Sequence, residues 1–144
     1  MNQRVVSVSR KITAPAGRIF DLLADPRNHP LLDGSGTLRA PRNVPERLSL
    51  GSRFSMSMKD RVSYFTTNKV VAFEEGRRIA WHHFAQFTWR FDLEEVADGT
   101  LVTESFDYSK PWGVVIVPLG WPERNRRSMA RTLDKISDVL DSGS

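Results

Sequence analysis

Val6-Ser7-Val8-Ser9-Arg10-Lys11-Ile12-Thr13-Ala14-Pro15-Ala16-Gly17-Arg18-Ile19-Phe20-Asp21-Leu22-Leu23-Ala24-Asp25-Pro26 is the stretch on which the fold is decided. Up to Ile12 the side chains alternate. Val6, Val8 and Ile12 fall on one side and Ser7, Ser9 and Lys11 on the other, the period-two pattern of a half-buried strand over about residues 4–13. Arg10 is the odd member of the apolar side, and an inward arginine near a strand end suggests the mouth of a cavity. The period then changes. Pro15 fits an early helical position, where its missing N–H costs nothing. Ile19, Phe20 and Leu23 share one helix face, and Asp25-Pro26 stops the helix because a residue before proline avoids the α region.

Working outward, residues 28–32 read as a second short helix, Asp33-Gly34-Ser35-Gly36 as a turn, and Thr37 to Ala40 as a short strand. Beyond Gly51, Phe54, Met56 and Met58 alternate with Arg53, Ser55, Ser57 and Lys59, which is a strand with one apolar and one wet face. Residues 62–73, 78–84, 87–95 and 100–108 supply four more strands, separated by Glu75-Gly76, Ala85-Gln86 and Asp98-Gly99. Asp-Gly between alternating strands favours a hairpin. Seven strands with short connections imply antiparallel pairing. Pro122 fits the start of a closing helix on which Met129, Leu133, Ile136 and Leu140 form a single apolar stripe. A helix of this kind after a run of strands predicts an α+β fold with the stripe laid on the sheet.

The opening strand, the Ala-Pro-Ala step, the short helix ending at Asp-Pro and the amphipathic closing helix together resemble the START/birch-pollen-allergen (SRPBCC) superfamily, within it the polyketide cyclase/dehydrase-like group. The resemblance implies a helix-grip fold: a curved seven-stranded antiparallel sheet around a long C-terminal helix, with two short helices after the first strand and an apolar cavity inside. Carried onto this sequence, it makes Phe54, Met56, Met58, Trp81, His83, Trp89, Phe91, Glu104, Phe106, Tyr108, Asn125 and Met129 the expected pocket wall. That mixture of rings, flexible Met side chains and a few polar ends suits a small hydrophobic ligand such as a lipid, a polyketide or an aromatic metabolite. Ordinary core packing explains any single aromatic equally well. Two other readings stay open. One is an enzyme of cyclase or dehydratase type in the same cavity; the other is a protein-interaction module of the chaperone-activator kind, with a collapsed interior and an exposed apolar patch.

Composition narrows the field. A chain of 144 residues is expected to form one domain, here residues 1–141 with 142–144 as a tail. Cysteine is absent, which excludes disulfides, thiolate catalysis and Cys-ligated zinc. No apolar run resembles a signal peptide or approaches the roughly 20 residues of a membrane span, so stable membrane insertion is not expected and a cytoplasmic location is. The net charge of +4 is dispersed except at Arg124, Arg126, Arg127 and Arg131. No recognition motif accompanies it, and nucleic acid is not an expected partner. No metal-ligand spacing, nucleophile elbow or phosphate-binding glycine loop occurs, so no cofactor is expected. A homodimer stays open.

Glu104 alternates in step with Val102, Phe106 and Tyr108. A carboxyl on that face would be desolvated and could serve as hydrogen-bond donor or general acid/base near neutrality, His83 being the second proton-transfer candidate. The alternative is an arginine-paired or rim carboxylate. His82 and His83 point to opposite faces of a strand, and His29 with Asp33 reads as a loop contact. Residues 111–122, two tryptophans around a β-branched run fenced by prolines and glycines, read as a buried plug at one end of the cavity. A lid, or a contact patch for a membrane or a second subunit, is the alternative.

Overall fold

The computed structural model describes residues 4–142 except 37, 43, 61, 84 and 85; at 42, 60, 141 and 142 it describes the backbone alone. Thr37, Phe84 and Ala85, expected in a strand start, a strand end and a turn, therefore lie outside the described residues, as do residues 143 and 144.

The alternating segments form seven strands: β1 (Val5–Ile12), β2 (Leu38–Arg42), β3 (Arg53–Asp60), β4 (Val62–Glu74), β5 (Arg78–His82), β6 (Thr88–Val96) and β7 (Gly99–Asp107). They make one antiparallel sheet in the order β1-β7-β6-β5-β4-β3-β2. Everything after β1 is a meander, and β1 returns to pair with β7, placing Val8 opposite Glu104 and Val6 opposite Phe106. Pro41 is accommodated in β2 because β2 is an edge strand. The register shifts between Val70 and Ala72, where β4 meets β5. A bulge of this kind bends the strand that carries it.

Two short helices follow β1 as expected. The first, α1 (Ala16–Ala24), has Pro15 in extended conformation at its N-cap and ends at an extended Asp25. A 3-10 turn over Pro26–Asn28 leads into α2 (His29–Leu32). The closing helix α3 (Trp121–Ser142) continues to the edge of the stretch read as a tail. Met129, Leu133, Ile136 and Leu140 are all buried on it, and the helix packs on β1 and β7.

Arg10 does turn toward α3, but its guanidinium pairs with Asp134 there. It does not line the cavity, so the expected mouth is not at β1.

Candidate functional site

The buried side chains separate into two clusters. Phe54, Met56, Phe91, Leu23, Leu32 and Leu133 belong to the larger, and Phe87, Phe106, Ile116 and Met129 form the smaller. Residues from both line a cavity of about 690 Å³ between sheet and α3. Its wall follows from the register. Trp81 stands opposite Trp89 and Trp89 opposite Phe106, so three large rings cross adjacent strands on one face. On the next pair of strands Phe54, Met56 and Met58 stand opposite Asn68, Thr66 and Tyr64, and all six side chains line the space. The rings are organised. His29 stacks on Trp81 at 4.9 Å, with Phe54 edge-on to both, and Trp89 meets Phe106 at 4.6 Å.

Eleven of the twelve residues expected in the wall therefore line the cavity; Tyr108 does not, because it lies beyond Phe106, stacked on that ring at 5.6 Å. The alternation that placed Tyr108 on this face extends past the strand, which ends at Asp107.

His29 belongs to the wall, where the sequence suggested only a loop contact with Asp33. Its Nε2 donates to the Leu23 carbonyl at 2.8 Å. A carbonyl can only accept, so this bond fixes the tautomer with the proton on Nε2. Burial lowers the His29 pKa, the Leu23 bond opposing it in part. Helical spacing between His29 and Leu32, both buried, was the available signal. Ser128 and Thr132 were also missed, although they share a face of α3 with Asn125 and Met129 at helical spacing.

Asp33 and Ser35 lie at the edge of the cavity lining, and their segment is clamped to α3 through Asp33 and Gly34. Gly34 N–H donates to Thr132 Oγ1 at 2.9 Å, Arg131 Nε donates to the Gly34 carbonyl at 2.7 Å, and Lys135 Nζ donates to the Asp33 carbonyl at 2.9 Å. A side chain at Gly34 would place its Cβ 2.0 Å from the Ser128 carbonyl oxygen, so the approach requires glycine. The Asp33 carboxylate accepts from the Leu38 N–H and from Ser35. It lines the cavity too.

Glu104 is 5% exposed and lines this space between Val8 and Phe91 on the flanking strands. No ion pair among the described residues involves it, and its Oε1 is buried without a hydrogen-bond partner. Burial pushes its carboxyl well above the usual carboxylate range, and the negative charge of Asp33 adds to the effect. The arginine-paired alternative is thereby excluded among the described residues. His83 lines the same cavity, and burial, with a smaller contribution from His82, lowers its pKa. The cavity thus holds a carboxyl poised to keep its proton and two imidazoles poised to stay neutral.

A second concavity, of about 700 Å³, lies on the other side of the sheet around Glu74–Arg78, Asp92–Glu95 and Thr103. Among its charged side chains Arg78 pairs with Glu74 and Asp92, and Glu75 pairs with Arg47 outside it. It offers little apolar surface to a ligand. Among the described residues, no group of three or more His, Asp or Glu side chains is placed to hold a metal ion.

A seven-stranded sheet gripping one long helix over an aromatic-lined cavity defines a helix-grip protein. Residues 3–141 match the family model described as polyketide cyclase/dehydrase and lipid transport, and the chain belongs to that family. It is similar to the uncharacterized protein Rv0088 of Mycobacterium tuberculosis, with 36% identity over 145 residues covering 96% of this chain and 65% of that protein. The chain thus spans about 65% of the length of the curated relatives it matches. Among solved structures, protein Ms6760 from Mycobacterium smegmatis has a TM-score of 0.72 at 17% identity, covering 100% of this chain and 99% of that one. DynU16, a protein in the dynemicin biosynthetic locus, has a TM-score of 0.67 at 15% identity, covering 97% of this chain and 48% of that one. At these identities the likeness is one of fold.

Proposed function

We propose that the protein binds a planar, largely apolar small molecule in the cavity between sheet and α3, with a neutral oxygen of that molecule accepting a hydrogen bond from Glu104. The observation that carries this reading is the buried Glu104 Oε1, without a hydrogen-bond partner among the described residues, in an aromatic wall. A protonated carboxyl has an O–H to donate, and leaving it unused costs about 1–3 kcal/mol of desolvation. A ligand carbonyl or hydroxyl would recover that cost. A carboxylate at the same place would instead meet the negative charge of Asp33. The half-buried rings of Trp81 and Trp89 supply offset stacking for a flat partner, and the buried Phe106 ring backs Trp89. The family description, which joins polyketide chemistry with lipid transport, supports a hydrophobic ligand of this kind.

Xanthone and anthracene test the reading, since both are flat tricycles and only xanthone carries a carbonyl. Wild-type protein should bind both, and Glu104→Leu should lose severalfold in affinity for xanthone while holding or gaining affinity for anthracene. An equal change for the two ligands would remove Glu104 from recognition. Binding of neither would remove the pocket.

Catalysis is a second reading, favoured by the opposed pKa shifts within one cavity. In a dehydration, neutral His83 would take the proton from the carbon next to a carbonyl while Glu104 gives its proton to the leaving hydroxyl, which departs as water. Glu104→Gln and His83→Gln should then each abolish turnover of a β-hydroxy ketone. Carriage alone predicts changes in affinity and no turnover in any form of the protein. The interaction-module reading expects a collapsed interior and an exposed apolar patch, and a cavity of about 690 Å³ weighs against the first of these.

A further inference from the structure

The connection between β7 and α3 faces two ways. Over Pro111–Ile116 it is a 3-10 helix from which Gly113 and Ile116 are buried. Ile116 packs with Phe87, Phe106 and Met129, three residues of the cavity wall. Gly113 approaches the Tyr108 carbonyl so closely that a Cβ there would lie 1.9 Å from its oxygen. The remaining apolar side chains turn the other way. Trp112, Val114, Val115, Val117 and Leu119 are between 46% and 62% exposed. The expectation of a buried plug therefore holds for Gly113 and Ile116 and fails for these five. Scattered exposed hydrophobic residues are ordinary, but five within one short segment mark a surface that something covers.

Charge identifies the cover. Between residues 110 and 127, Lys110, Arg124, Arg126 and Arg127 stand against a single carboxylate, Glu123, and all four cations are exposed. Arg126 satisfies Glu123 at 2.8 and 3.0 Å. None of the described ion pairs involves Lys110, Arg124 or Arg127. A symmetric second copy would bring this basic surface against itself, which like charges disfavour. Aliphatic and Trp side chains bordered by cations that no described ion pair holds, one of them, Arg124, lying over the Trp121 ring, instead match an anionic lipid surface, where the apolar groups enter the headgroup boundary and the cations meet phosphate.

We propose that residues 110–127 dock the protein on an anionic bilayer, with Trp112, Val114, Val115, Val117 and Leu119 in the interface and Lys110, Arg124 and Arg127 on the headgroups. The docked face continues into the cavity, because Trp121 and Arg124 line it and Ile116 backs its wall. The surface and the pocket are separable claims, and vesicle binding tests the surface whether or not the cavity holds a ligand.

The experiment is co-sedimentation with vesicles of phosphatidylcholine alone and with vesicles containing one quarter phosphatidylglycerol. The wild-type protein should sediment with the anionic vesicles, stay in solution with the neutral ones, and be released by half-molar salt. Val115→Asp and Leu119→Asp should each weaken partition by about tenfold or more. Arg127→Ala should weaken it by roughly fivefold. All three sites are exposed, so circular dichroism should show an unaltered fold. Absence of binding to anionic vesicles, or wild-type partition in both Asp variants, would overturn the proposal. So would a concentration-dependent dimer that Val115→Asp dissolves, which would assign the surface to a second copy.

Discussion

Glu104 and the buried histidines pull the protein's stability in opposite directions with pH. An unfolded chain ionises Glu104 above about pH 4.3 while the folded chain holds the proton, so this residue's contribution falls as pH rises from there toward the raised native value. Unfolded His29 and His83 take up protons below about pH 6.5 while the folded rings stay neutral, so their contribution falls as pH drops through that value. Between the two limits the slopes oppose. Glu104→Gln removes one of them, so the variant should exceed wild type in stability at neutral pH and lose stability more steeply on acidification to about pH 5. Urea denaturation at a series of pH values reads this directly, and parallel profiles for the two proteins would mean that Glu104 is ionised in the folded state. Strand alternation alone placed Glu104 on the inner face. Its lack of a cationic partner was not legible, because that depends on where Arg10 and Arg131 go, and both are taken by distant contacts with Asp134 and Gly34.

At the scale of elements, periodicity carried the sheet and the closing helix, since both bury one regular face. Leu133 is buried on the α3 stripe, and Leu133→Ala should cost about 2–5 kcal/mol, checked by denaturant titration. A cost below about 1 kcal/mol would mean that the helix does not close the core. The clamp of residues 33–36 on α3 had no such signature. Asp-Gly-Ser-Gly reads as a turn wherever it occurs, and only the close approach to Ser128 shows what Gly34 does. Gly34→Ala should destabilise the protein by about 1–3 kcal/mol and raise amide exchange in the segment, because the added methyl must separate it from Thr132 and Arg131. Wild-type exchange there would mean that the contact is dispensable. The segment after β7 was hardest to read for the same kind of reason: a β-branched run looks buried, and its exposure is set by the fold around Gly113 and Ile116.

For the whole molecule, the central claim is that the space between the sheet and α3 receives a ligand. The composition of its wall was largely legible, because one face of an antiparallel sheet collects every second residue of each strand. Its volume was not, because whether four tryptophans and eight phenylalanines fill a cavity or line one depends on rotamers that no periodicity encodes. Three of the four methionines, Met56, Met58 and Met129, line it and provide reporters on different walls. The most direct measurement is a titration of carbon-13 methyl-methionine protein with xanthone, followed by NMR. The account predicts that the Met56, Met58 and Met129 methyl resonances shift together and saturate at one equivalent. Saturation without movement of these resonances, or drift without saturation, would contradict it.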